Sequence, residues 1–300
     1  MTGTPENTTV AVVGLGNMGG PMAANLVAAG YRVSGYDLVA SARQTAAAAG
    51  VAIADSLGDA VHEADVVITM LPAGTHVLTA YAEIVAEVRA GTLLVDCSTI
   101  DVSSSREAHA LAAKAGHRSV DAPVSGGVVG AEAATLTFMA GGEADAVAAA
   151  EPVLARLGKR TVICGGPGAG QAAKICNNMI LGVSMAAVSE AFVLGEKLGL
   201  DHQALFDVVS TASGQCWAVT TNCPVPGPVP GSPANRDFTG GFGTPLMLKD
   251  LRLAMTAAQE QGVAAVLGRA ATDRYAEFAD RDDRVRDFSS IIEDIREQSA

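Results

Sequence analysis

The chain has 300 residues, 49% apolar, 4% aromatic and 17% charged, which is enough for about two domains with separate cores built mainly from Ala, Val, Leu and Ile. Twenty Lys and Arg stand against 32 Asp and Glu, a net charge of −12, and so acidic a surface repels phosphate backbones, which excludes nucleic acid as an expected partner. The five cysteines (Cys97, Cys164, Cys176, Cys216, Cys223) form an odd set with no C-x-x-C pair and the five histidines are scattered, so reduced thiols in a cytoplasmic protein are expected, with neither a disulfide framework nor a metal site.

Only Met1 to Thr9 precede the first apolar strand, too little for a signal peptide. The apolar run Ile175 to Ser189 falls short of the roughly 20 residues that cross a bilayer, so no membrane segment is expected. From Val10 to Cys164 short apolar runs alternate with Ala-rich amphipathic stretches, the pattern of parallel strands covered by helices. Strands are expected at Val10–Val13, Arg32–Tyr36, Val66–Met70, Thr92–Asp96, His117–Ala122, Leu136–Ala140 and Thr161–Cys164, the later ones extending the sheet with antiparallel members.

The glycines at 165, 166, 168 and 170, with Pro167, break that pattern and set the expected boundary between residues 1–164 and 165–300. A long helical run to Gly199 follows, then helices near Asp201–Ser210, Pro245–Gln261, Ala264–Ala279 and Ser289–Gln298, so the second domain reads as all α. Cys223 to Pro233, CPVPGPVPGSP, is too proline-rich for helix and by composition reads as a flexible connector, or else as a functional loop. Arg269 to Asp287 reads as a solvated helix face with spaced ion pairs such as Asp280 and Arg284.

The strongest local signal is VAVVGLGNMG, where Gly14, Gly16 and Gly19 follow a strand and open a helix over Pro21–Ala29. Such a turn, made of Gly14, Leu15, Gly16, Asn17, Met18 and Gly19, brings backbone and a helix N-terminus to a pyrophosphate, which points to a dinucleotide in a Rossmann-type, doubly wound α/β domain. Asp37, 18 residues past Gly19 at the end of the second strand, is placed to accept ribose hydroxyls and to repel a 2′-phosphate, favouring NAD over NADP; a strand-end turn explains it equally simply, and Arg43 leaves NADP open. Leu71, Pro72, Ser98 and Thr99 follow further strands, where a cofactor pocket has its walls.

In DAPVSGG, Ser125, Gly126 and Gly127 offer a hydroxyl and two backbone N–H groups to an anion, or simply make a tight turn. In GQAAKICNNMIL, Lys174 and Asn178 share one helical face, and Ala172, Ala173, Ile175, Met179, Ile180 and Leu181 imply burial around them. A buried ammonium is either paired or shifted toward neutrality, as proton transfer needs, while a lysine reaching the surface from a helix start is the simpler alternative. Lys249 beside Asp250 suits either a bound carboxylate or a surface pair, and Trp217 either a core or a pocket wall.

These segments together, with ITMLP, DCSTID, SGQCW, GGFGTPLMLKDL and RDFSSII, resemble the β-hydroxyacid dehydrogenase family along nearly the whole chain, and SGQCW, the proline-rich loop and GGFGT are similar more narrowly to its hydroxyisobutyrate branch. The resemblance implies NAD-dependent oxidation of 3-hydroxyisobutyrate to methylmalonate semialdehyde in valine breakdown, by a Rossmann-type domain followed by an all-α domain joined through a long helix. It implies that Lys174 is catalytic and assisted by Asn178, that Ser125, Gly126 and Gly127 hold the substrate carboxylate, that Lys249 lies beside nicotinamide and substrate, and that Trp217 is a substrate contact. It implies cofactor contacts from the Gly14–Gly19 turn, Asp37, Leu71, Pro72, Thr99 and the position of His76, where relatives often carry Asn. A related semialdehyde reductase or a catalytically silent scaffold is the alternative, and the helical domain is expected to close the site and to join subunits into a homodimer or homotetramer.

Overall fold

The computed structural model describes residues 5–282 and 284–300. The chain divides into two compact units, Met1–Lys174 and Ile175–Ala300, and the division falls within a long helix.

In the first unit six strands lie parallel: β1 (Thr9–Val13), β2 (Arg32–Tyr36), β3 (Ala52–Ile53), β4 (Val66–Thr69), β5 (Leu93–Asp96) and β6 (Arg118–Asp121). Their order, β3-β2-β1-β4-β5-β6, is that of a doubly wound dinucleotide fold with its switch point between β1 and β4. Three more strands complete the sheet: β7 (Val124–Ser125), β8 (Leu136–Gly142) and β9 (Gly158–Gly165). β8 runs antiparallel to β6 and β7 and parallel to β9, the expected antiparallel extension.

Burial on both faces explains the unbroken apolar strands. Val10 and Val12 of β1 pack in one core with Met22, Leu26, Ile68 and Val95, whereas Ala11 and Val13 face a second core with Val77, Tyr81 and Ile84. The covering helices are α1 (Gly19–Ala28), α2 (Ala40–Ala48), α3 (Leu57–Val61), α4 (Gly74–Glu87), α5 (Val102–Lys114), α6 (Gly127–Glu132) and α7 (Ala144–Leu154). Ser56 and Asp101 cap α3 and α5 by accepting from the backbone N–H of Asp59 and Ser104, as short polar side chains before a helix do. The segments β3 and β7, two residues each, are too short to show any periodicity and were not expected.

Helix α8 (Ala169–Lys197) leads into the second unit, which holds α9 (His202–Val209), α10 (Trp217–Thr220), α11 (Thr244–Glu260), α12 (Val266–Arg281) and α13 (Ile291–Gln298). Its core gathers Met185, Phe192, Val219, Met247, Leu251, Tyr275, Phe288 and Ile292. By length and composition alone α8 is long and apolar enough to cross a bilayer, contrary to the expectation from the unbroken run, because the helix continues past Glu190; half of its most apolar window is buried within the protein.

Asn178 is buried as its apolar neighbours imply, although Ile180 is 64% exposed and Met179 and Leu181 are only partly buried, because α8 is apolar around more than one side. Two further expectations are corrected in this unit. The proline-rich loop is not a loose connector: Cys223, Val225 and Ser232 are fully buried, and Ser232 Oγ donates to the Cys223 carbonyl at 2.5 Å. The Asp280–Arg284 pair does not form, since α12 ends at Arg281 and helical spacing ends with it; Arg284 instead meets Asp282 at 3.2 Å.

Candidate functional site

Three glycines after β1 answer to different constraints. Gly14 has φ +95°, and a Cβ there would lie 2.3 Å from the Met70 carbonyl oxygen; a Cβ at Gly19 would lie 1.9 Å from the Gly14 oxygen. Both are required by strand–helix packing. A Cβ at Gly16 would meet no protein atom within 4 Å, so packing does not demand glycine there, and the open space fits the close approach of a pyrophosphate. Helix α1 begins after Met18 with no side-chain cap; Gly20 N already donates to the Gly16 carbonyl at 2.9 Å and Pro21 carries no N–H, while Leu15 is buried in the core and Asn17 is exposed.

Asp37 stands at the end of β2 beside this turn. Its Oδ2 accepts from Leu15 N at 2.7 Å and its Oδ1 from Val39 N at 2.7 Å, which fixes the carboxylate while leaving each oxygen a lone pair for a ribose hydroxyl. Arg43 Nη1 donates to the Asp37 carbonyl at 2.6 Å, so the guanidinium that could receive a 2′-phosphate is partly engaged locally.

At the ends of β4 and β5 the next two loops are tied together. Leu71 N donates to Ser98 Oγ at 2.8 Å; Pro72 and His76, the latter in the first turn of α4, are exposed, and Thr99 is partly buried. Behind them lies a buried polar cluster that sequence reasoning missed. Asp121, at the end of β6, accepts from Gly168 N and Gln171 N at 2.9 Å each and from His109 Nε2 at 2.9 Å, and His109 Nδ1 accepts from Ser119 Oγ at 2.6 Å. Gln171 Nε2 donates to the Ser98 carbonyl at 2.7 Å, and its Oε1 accepts from Ile100 N at 3.1 Å. The available signal was Gln171's position three residues before Lys174, on the same side of a helix.

The Ser125-Gly126-Gly127 turn links β7 to α6. Gly126 at φ +137° and Gly127 at φ +62° need glycine for the backbone alone, and the turn presents a partly buried Ser125. Lys174 is 6% exposed, and its Nζ donates to the carbonyl of Val124, the residue before Ser125, at 2.8 Å. The amine and the glycine turn are thereby brought together, and the alternative of a lysine reaching into solvent is set aside.

Within the second unit, Asn178 is buried and its amide is held at both ends: Nδ2 donates to Asp250 Oδ2 at 2.5 Å, and Oδ1 accepts from Asn177 Nδ2 at 2.9 Å. Lys249 Nζ lies 3.5 Å from Asp250 Oδ1, with about a third of its side chain exposed. Asp250, noticed in the sequence only as the neighbour of Lys249, is the hub of this group. Trp217 opens α10 half-exposed and outside the core, which leaves the reading as a wall rather than an anchor.

Comparison with known proteins covers almost the whole chain. The family model described as the NAD binding domain of 6-phosphogluconate dehydrogenase matches residues 9–166, and that described as NAD-binding of NADP-dependent 3-hydroxyisobutyrate dehydrogenase matches residues 168–295. The human mitochondrial 3-hydroxyisobutyrate dehydrogenase is 43% identical over 296 residues, 98% of this chain and 88% of its own length. The NAD-dependent L-serine dehydrogenase of Pseudomonas aeruginosa is 44% identical over 285 residues, 94% and 96% of the two chains. The solved structure of Mycobacterium tuberculosis 3-hydroxyisobutyrate dehydrogenase with L-serine has a TM-score of 0.93 at 56% identity, covering 96% of this chain and 99% of that one.

Proposed function

The chain belongs to the 3-hydroxyisobutyrate dehydrogenase family, and from that premise we propose that it oxidises 3-hydroxyisobutyrate to methylmalonate semialdehyde with Lys174 as the proton-transfer group. It is an NAD-dependent oxidoreductase acting on CH–OH. When bound, NAD supplies the acceptor for the hydride from the carbinol carbon. The chain's own residues bind, orient and move the proton. The Gly14–Gly19 turn and the α1 N-terminus would hold the pyrophosphate, Asp37 the adenosine ribose, and Leu71, Pro72, His76 and Thr99 the nicotinamide end.

Lys174 Nζ takes the hydroxyl proton in oxidation and returns it in reduction, while Asn178, one helical turn further along α8, orients that hydroxyl. Ser125 with the N–H groups of Gly126 and Gly127 receives the substrate carboxylate. For Lys249 and Trp217 the same reading proposes contact with substrate or cofactor. The observation that carries the assignment is the buried Lys174 Nζ hydrogen-bonded to the carbonyl next to Ser125, which supports a proton carrier beside an anion-binding turn. Work in the cytoplasm, a role in valine breakdown, and assembly into a homodimer or homotetramer complete the proposal. Assembly is supported by the apolar side chains of Leu194, Leu198 and Val208, left exposed in the second unit.

A second substrate reading has its own support, since one relative is named an L-serine dehydrogenase and one related structure was solved with L-serine. L-serine is also a 3-hydroxy acid, with an ammonium where 3-hydroxyisobutyrate has a methyl. The test is absorbance at the NADH band with each acid and with NAD or NADP. We expect the higher kcat/KM for 3-hydroxyisobutyrate with NAD; a higher value for L-serine replaces the substrate, and no NADH from either acid rejects the reading.

A further inference from the structure

Around Lys174 two donors at the first turn of α8 are held from another element. Gly168 N and Gln171 N, donors that an isolated helix start leaves unpaired, both give their protons to the carboxylate of Asp121, from the end of β6. Asp121 is thus a cap supplied from a distant strand, and its negative charge is favourable at a helix N-terminus. His109, itself held by Ser119, clamps the same carboxylate from α5.

Gln171 carries this anchorage outward. Fully buried, it spends both ends of its side-chain amide on one loop: Nε2 donates to the Ser98 carbonyl and Oε1 accepts from Ile100 N. These two groups flank Thr99. Ser98 in turn accepts from Leu71 N, so the loops after β4 and β5 are referenced to the same side chain. Lys174 follows Gln171 by three residues, on the same side of the helix.

We propose that Gln171 is the positioning residue that sets the Lys174 amine against the two loops at the nicotinamide end, by tying the first turn of α8 to the backbone on both sides of Thr99. This rests on the reading of Lys174 as the proton-transfer group, and the experiment separates the two. A leucine at 171 fills similar volume but makes neither hydrogen bond, so helix and loop lose their common reference while the glycine turn and Lys174 stay intact.

The test is stopped-flow single turnover with enzyme in excess over 3-hydroxyisobutyrate and NAD saturating, in wild type, Gln171→Leu and Gln171→Glu. A misplaced amine lowers the rate constant for NADH formation at saturating enzyme; a merely structural role lowers the competent fraction, read by NADH titration, and leaves that rate constant alone. We expect Gln171→Leu to keep its competent fraction and to lose about ten- to a hundredfold in rate constant. Gln171→Glu, which keeps an acceptor for Ile100 N, should lie between it and wild type. Should the leucine variant fail to fold, the glutamate variant, with the original side-chain volume, reads the same quantity. A rate constant within about twofold of wild type in a folded variant overturns the positioning role, whatever the competent fraction does. A wild type that forms no NADH, or a Lys174→Ala enzyme that turns over normally, would instead reject the underlying assignment.

Discussion

Lys174 and Ser125 stand 49 residues apart in the chain, yet the lysine Nζ donates a hydrogen bond to the carbonyl immediately preceding that serine. A backbone acceptor at 2.8 Å thus helps to hold the amine in place beside the turn that is proposed to bind the carboxylate. Replacing Lys174 by Ala removes the proton carrier without touching the glycine turn or Asp37. Turnover should fall by about a hundredfold or more while NADH affinity stays within about twofold, as read by steady-state rates and by NADH fluorescence titration. Retained turnover would move the chemistry to another residue.

Gly16 and Gly19 make opposite predictions. Gly19→Ala forces a Cβ to 1.9 Å from the Gly14 carbonyl oxygen, a backbone atom that cannot step aside, so unfolding stability should drop by about 1–3 kcal/mol. Gly16→Ala meets nothing in the protein and should leave the unfolding midpoint unchanged while weakening NADH binding. Denaturant melts and cofactor titrations on the pair distinguish a cofactor-imposed glycine from a packing-imposed one; unchanged affinity in Gly16→Ala would place the pyrophosphate elsewhere.

Much of this site could be read along the chain because its parts are local. The glycine turn occupies six consecutive residues between a strand and a helix, and Lys174 and Asn178 are neighbours by helical spacing. The residues that orient them could not be read in that way. Asp121 reaches Gln171 across 50 positions, Gln171 reaches the Ser98 carbonyl across 73, and Asn178 reaches Asp250 across 72. No periodicity encodes such pairings, which exist only once the chain is folded. Composition misled in the opposite sense at Cys223–Pro233, where prolines suggested looseness but Ser232 and Asn235 close the loop onto its own carbonyls. At Ile180 it was the uniform apolarity of α8 that hid which side faces out.

Asp37 holds the Leu15 and Val39 N–H groups and is proposed to meet the ribose as well. Asp37→Ser removes the charge that repels a 2′-phosphate and shortens the reach to Leu15. The ratio of kcat/KM for NAD over NADP should fall by about tenfold or more, the scale of losing a hydrogen bond to a charged group. An unaltered ratio would mean that the strand-end carboxylate serves the turn alone.

Asn178 and Asp250 act as one unit if the 2.5 Å hydrogen bond between them is what orients the amide. Asn178→Ala and Asp250→Ala should each lower kcat, and the double variant should be little worse than the poorer single one. The coupling from kcat/KM should reach about 0.5–3 kcal/mol, the range for residues in direct contact. Strict additivity would show that Asp250 influences turnover by a separate route, through Lys249.

Asp96, at the end of β5, offers a test by pH. Its carboxyl is pushed above the ordinary carboxylate range, first by burial, with the nearby Asp121 adding to it, although Thr69 Oγ1, Ser98 Oγ and Ser98 N favour the ionised form by hydrogen bonding. Its Oδ2 has no hydrogen-bond partner among the described residues. A raised folded-state value means that the folded protein holds this proton more tightly than the unfolded chain. The stabilising contribution is therefore full below the ordinary carboxylate pKa, and it is lost as the pH rises through the folded value. Asp96→Asn has no proton to lose and should gain stability relative to wild type as the pH is raised through that window, then hold a constant advantage. Urea midpoints measured for both proteins from acid to neutral pH read the difference directly, and a gap that does not change with pH would show that the buried carboxyl titrates as it does in the unfolded chain.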